Sequence, residues 1–166
     1  MKEALDFLSK LVSFESISTD SSKEKEIFAL IQFLRDFLEK EKFKVKIIGK
    51  DKPLFIAEKF ISSKTKTICI YSHYDVQAVD PLNFWQTLPF KLSIKNGKIY
   101  GRGVADDKGH LTQNIFAILN LLKEKNLKNN IIFIFEGEEE IGSPNFASYV
   151  DRVKNILKNV DLYFLT

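Results

Sequence analysis

Strand-like apolar runs alternating with helical stretches predict an α/β fold: a three-layer sandwich built on a mostly parallel mixed sheet, with helices on both faces. Three observations carry this. Residues 44–48, 54–60, 67–71, 130–135 and 160–165 are short runs of strand character. Helical apolar spacing precedes the first run and recurs between later ones. Groups able to do chemistry follow the ends of several apolar runs, where open α/β sheets collect their functional side chains.

The first helix is expected over residues 2–12, with Ala4, Leu5, Leu8, Leu11 and Val12 on one face. The stretch from Ser13 to Ser18 breaks the pattern. Asp20, Ser21 or Ser22 can cap a second helix to about residue 41, its apolar face formed by Ile27, Leu30, Ile31, Leu34 and Leu38. The 67–71 run is wholly apolar and suits a central strand covered on both faces. Residues 81–89 form a loop. Strands at 90–94 and 98–100 flank Asn96-Gly97, a strong hairpin signal. A helix then opens near Gly109, with Leu111, Ile115, Ile118, Leu119 and Leu122 at helical spacing. Ser143-Pro144 reads as a cap followed by proline in the first turn of a helix reaching about Lys158.

The chain has 166 residues, 45% of them hydrophobic, enough for one globular domain. Twenty-five basic and 22 acidic residues leave a net charge of +3, with no basic cluster interleaved with aromatics. That argues against a nucleic-acid partner. No apolar stretch approaches the ~20 residues of a membrane span. The one cysteine, Cys69, precludes an internal disulfide framework and sits where a small core residue belongs. A cytoplasmic location is the expectation.

Three segments hold the chemistry. His73 follows the 67–71 strand after one serine, and Asp75 stands two residues on. A carboxylate there can accept the free ring N–H, fix the tautomer and raise the basicity of a metal-binding imidazole. Asp106-Asp107-Lys108-Gly109 lies between a glycine-rich approach and a helix start. One aspartate suits helix capping; one can instead bridge two cations held about 3.5–4 Å apart, offsetting their repulsion. Lys108 reads as a salt-bridge partner or a solvated residue, and His110 as a surface or capping residue. Glu138-Glu139-Glu140 directly follows the 130–135 strand. Adjacent glutamates permit a division of labour, one binding metal while another stays uncoordinated as general base and acid.

In this order and spacing the segments resemble the dinuclear zinc aminopeptidase-like family, which includes carnosinase-type dipeptidases, glutamate carboxypeptidase, succinyl-diaminopimelate desuccinylase, acetylornithine deacetylase and aminoacylase. His73-Tyr74-Asp75-Val76-Gln77, Asp80-Pro81-Leu82-Asn83-Phe84-Trp85 and Asn96 through Gly103 look most like the dipeptidase branch. The resemblance implies a zinc-dependent exopeptidase-like catalytic domain that holds two Zn²⁺, with Co²⁺ or Mn²⁺ as alternatives. It makes His73 a terminal ligand of one ion, Asp75 its orienting partner, Asp106 the bridging carboxylate and the Asp106–Asp107 bond cis. Glu139 becomes the general base and Glu140 a terminal ligand of the other ion. Glu138 matches a variable position, and Gly142 and Ser143 start the next helix. The implied reaction is hydrolysis of a peptide or amide bond beside a free carboxylate, on a dipeptide or an N-acyl amino acid.

By the same resemblance, a further acidic ligand belongs just past Thr166 and a second ligand histidine far beyond, with a lid or dimerisation domain between. Residues 1–166 therefore read as the N-terminal portion of the catalytic domain. Each zinc would have two protein ligands here, counting Asp106 twice, where catalytic zinc generally keeps three. The expectations are weak metal binding and little hydrolysis by this portion alone, and an exposed apolar sheet edge that promotes association. The partner would be the missing half or a second copy. A catalytically silent partner-binding module is the reading from another class.

Overall fold

Apolar periodicity sets the layers of the chain, which a computed structural model describes over all residues, Met1–Thr166. Two helices come first, α1 (Lys2–Ser13) and α2 (Glu24–Lys40), then strands β1 (Lys44–Ile48), β2 (Leu54–Lys59) and β3 (Thr67–His73). A hairpin of β4 (Ser93–Lys95) and β5 (Lys98–Tyr100) leads into α3 (Lys108–Lys123). The chain finishes with β6 (Asn130–Glu136), α4 (Phe146–Asp151), α5 (Lys154–Leu157) and β7 (Leu162–Leu165).

The main sheet has the order β1-β2-β6-β3-β7. β6 is parallel to β3, and β3 to β7, while β2 pairs antiparallel with both β1 and β6. Four strands thus run one way and β2 alone runs against them, the mostly parallel mixed sheet expected. β6 holds the centre and is buried at every residue, so it, and not the 67–71 run, is the middle strand. β3 lies beside it and continues two residues beyond the expected end, to His73.

Successive residues of a strand face opposite ways, and β6 uses both faces. Ile131, Phe133 and Phe135 join Leu11, Leu30, Leu34, Leu111 and Ile115 beneath α1, α2 and α3. Ile132 and Ile134 join Ile48, Leu54, Ile56 and Cys69 against Val153 and Leu157 of the α4–α5 side. Covering on both faces explains why β6 reads as unbroken apolar sequence. Truncating a fully buried phenylalanine such as Phe133 in this layer costs about 3–5 kcal/mol. On the far edge, β7 leaves Leu162, Tyr163, Phe164 and Leu165 each more than half exposed.

Two local expectations need correction. The hairpin strand expected at 90–94 is only Ser93–Lys95, because a turn bond from Lys91 N to Leu88 O occupies its start. The turn itself is as expected, with Asn96 and Gly97 both at positive φ, the geometry that matches strand twist. The helix expected from Ser143 to Lys158 is two short helices that begin later. Ser143 has φ +56 and cannot cap, and Asn145 takes the cap position of α4. The Glu138 carboxylate reaches forward instead, accepting from Asn145 N at 3.1 Å and Asn145 Nδ2 at 2.8 Å. Between α4 and α5, Val153 leaves helical geometry to bury its side chain in the core.

Burial pushes the Cys69 thiol up to about 12. The thiolate is the reactive form. Native protein at pH 8 should therefore leave Cys69 unmodified by a disulfide-exchange reagent, and one equivalent should react once denaturant unfolds the chain. Full native labelling within minutes would contradict this packing.

Candidate metal centre

Parallel pairing of β3 and β6 places His73 opposite Glu136, so both strands end at the same edge of the sheet. Beyond those ends the two chains stay joined. Tyr74 N donates to Glu136 O at 2.8 Å. The Asp75 carboxylate, wholly buried, accepts from Glu139 N at 3.3 Å and Glu140 N at 3.1 Å. The turn after α1 braces the other side. Ser16 Oγ donates to Tyr74 O at 2.7 Å, and Ser16 O accepts from Val76 N at 3.0 Å.

This bracing sets the imidazole. His73 Nδ1 lies 3.1 Å from the Asp75 carbonyl oxygen and 3.4 Å from Asp75 Oδ1. The expected orienting contact thus comes chiefly from the Asp75 main chain, while the carboxylate's hydrogen bonds hold the two glutamates. Nε2 faces the opposite way, 2.7 Å from Asp106 Oδ1 and 3.8 Å from Glu139 Oε2. Donor atoms of His73, Asp106 and Glu140 all lie within 4.8 Å of one another. His73 is buried, Asp106 is 71% exposed and Glu139 46% exposed, so the group opens to solvent.

The loop carrying Asp106 is tightly built. The Asp106–Asp107 bond is cis. Asp107 turns inward, where its carboxylate accepts from His73 N at 3.0 Å and meets His110 Nδ1 at 2.7 Å. Gly109 permits the closing of the loop, since a Cβ there would stand 1.9 Å from Val104 O. Lys108 is not the salt-bridge partner or solvated residue that the sequence suggested. It is fully buried, and Nζ donates to Leu11 O at 3.0 Å and Phe14 O at 2.8 Å, tying the start of α3 to the end of α1. Burial pushes its ammonium down to about 7. Lys108 and the capping carboxylate of Glu138 are the residues that sequence reasoning missed. For Lys108 the available signal was its place at the first turn of an apolar-faced helix, between Asp107 and a close-packed glycine.

Electrostatics at the centre are one-sided. None of Asp75, Asp106, Asp107, Glu139 or Glu140 has a lysine or arginine ion-pair partner. Burial opposes charge on His73, but Asp75, then Asp106 and Asp107, outweigh it and raise the ring to about 9. Burial raises the Asp107 carboxyl despite its donors. Carboxylates crowded without lysine or arginine, around an imidazole whose other nitrogen is already held, suit a divalent ion. One imidazole nitrogen with carboxylate oxygens is a donor set for zinc, cobalt or manganese.

An open sheet end carrying these donors defines an α/β protein with a group that could hold a metal ion. A profile of the Peptidase family M20/M25/M40 matches residues 69–165, and the chain belongs to that family. The crystal structure of human carnosine dipeptidase 1 superposes with a TM-score of 0.92 at 29% identity, covering 99% of this chain and 38% of that one. Sso-CP2 of Sulfolobus solfataricus, described as an M20 family metallo-carboxypeptidase, gives 0.89 at 37% identity, covering 99% and 37%. Among curated proteins, the succinyl-diaminopimelate desuccinylase of Buchnera aphidicola is 33% identical over 156 residues, 93% of this chain and 38% of its own length. The chain therefore spans less than two fifths of each of these relatives. No helix is long and apolar enough to cross a membrane.

Replacing Asp75 by asparagine keeps the volume but leaves one oxygen to serve the two glutamate N–H groups. The expected loss is about 1–3 kcal/mol, the cost of one buried unsatisfied group, read from urea unfolding. A variant as stable as the parent would show that the carboxylate does not hold this turn.

Proposed function

We propose that residues 1–166 form the N-terminal portion of the catalytic domain of a metal-dependent hydrolase acting on the amide bond of a dipeptide or N-acyl amino acid. The observation that carries this is the convergence of His73, Asp106 and Glu140, with the Glu139 carboxylate beside them, 3.8 Å from His73 Nε2 and accepting no hydrogen bond. Two divalent ions, zinc by preference, would be held by His73 and Asp106 on one side and Asp106 and Glu140 on the other. Further ligands would come from residues outside these 166. When bound, such ions polarise a carbonyl and lower the pKa of water toward about 7.

The chain's own residues do the rest. Asp75 holds Glu139 and Glu140 by their main chains and keeps His73 turned outward. Glu139 points its carboxylate into the open side of the cluster, free to take the proton of the attacking water and hand it to the departing nitrogen. Asp107 and Lys108 keep the Asp106 loop closed without touching the reacting groups.

The motif residues serve metal and water, which a peptidase and a deacylase share. The likeness to a desuccinylase over 93% of this chain supports the deacylase reading on its own account. A substrate panel of dipeptides against N-succinyl and N-acetyl amino acids separates the two.

In the complete hydrolase, Glu139→Gln should lower kcat by about 10²–10⁴-fold, the range for one general acid–base group, with metal content unchanged. Chelation should abolish turnover and added zinc should restore it. Full activity in the Glu139→Gln variant, or turnover indifferent to chelation, would overturn the proposal.

A further inference from the structure

Gln77 lies at the open rim of the cluster, exposed, two residues past Asp75. Its Nε2 donates to Glu140 Oε2 at 2.8 Å and to Glu140 O at 3.1 Å. No other protein donor reaches that carboxylate, so Glu140 Oε1 is left without a protein partner. The main chain of Glu140 is already held, through Glu140 N on Asp75 Oδ2. One short segment, 75–77, therefore fixes the backbone of Glu140 with a carboxylate and its side chain with an amide.

We infer that Gln77 is a positioning residue that sets the Glu140 carboxylate for metal binding. An amide is the chemistry this position requires. A carboxylate there would repel Glu140, and a lysine would neutralise the charge the cation needs. A glutamine donates one hydrogen bond and leaves the charge of Glu140 intact. Partners of this kind orient ligating carboxylates, and losing one costs 10–100-fold in metal affinity, by the general behaviour of such shells. The side chain is exposed and packs into no core cluster, so its effect should fall on the metal and not on folding. Asp75 and Lys108 differ here, since both are buried and their removal would disturb the fold as well.

The inference rests on reading Glu140 as a ligand, and its test has one arm that needs no metal. In the metal-free protein, the Gln77 side-chain NH₂ resonances should be displaced from free-amide values and should return to them in Glu140→Ala. Free-amide shifts in the parent protein would overturn the inference whether or not metal binds. In the second arm, Gln77→Leu and Gln77→Ala are titrated with Co²⁺ in the complete hydrolase, which supplies the remaining ligands. Dissociation constants raised at least tenfold, an altered cobalt d–d spectrum and an unchanged metal-free melting temperature are expected. Parent-like affinity and spectrum in both variants would overturn the inference, as would a weaker affinity accompanied by a lower metal-free melting temperature. If the parent binds no cobalt, the metal-centre reading fails. The amide spectrum then still decides whether Gln77 holds Glu140.

Discussion

Everything at the candidate centre depends on the parallel pairing of β3 with β6. Seven consecutive pairs, from Thr67 with Asn130 to His73 with Glu136, bring two sequence regions more than sixty residues apart to one end of the sheet. A slip of one residue would turn His73 to the opposite face, because side chains alternate. Burial on both sides of β6 guards against that slip. Its odd- and even-numbered side chains belong to different cores, and exchanging them would misfill both. The register of the hydrophobic core is thus also the register of the site.

Past the strand ends the backbone can no longer pair with itself regularly, and side chains take over. Asp75 receives the N–H groups of Glu139 and Glu140, Asp107 receives that of His73, and Glu138 receives that of Asn145. Three acidic residues serve here as acceptors for main-chain donors. The neighbouring acids, Asp106, Glu139 and Glu140, are left facing solvent together. This separation of inward acids from outward ones concentrates negative charge where no lysine or arginine answers it. Lys108, the nearest base in sequence, is turned away and spent on two carbonyl groups of the α1 turn.

Much of this was legible in the residues. Periodicity located every strand of the main sheet, because each has a pattern of its own or an unbroken apolar run. That His73, an aspartate of 106–107 and a glutamate of 138–140 could share a site was readable from the rule that functional groups gather at strand ends, while the choice of Asp106 and Glu140 came from the family resemblance. What could not be read depended on tertiary partners. The break in the 143–158 helix follows from Val153 turning into the core and from a capping carboxylate five residues before Ser143. The burial of Lys108 requires knowing that the carbonyls of Leu11 and Phe14 stand nearby, ninety-odd residues earlier. That β6 rather than β3 is central is a matter of strand order, which composition does not encode.

Zinc-edge anomalous diffraction from crystals grown with zinc tests the central claim most directly. Anomalous peaks at about 2.0–2.2 Å from His73 Nε2 and from carboxylate oxygens of Asp106 and Glu140 are the result this account requires. Zinc bound only elsewhere, or peaks that leave Asp106 and Glu140 uncoordinated, would contradict it.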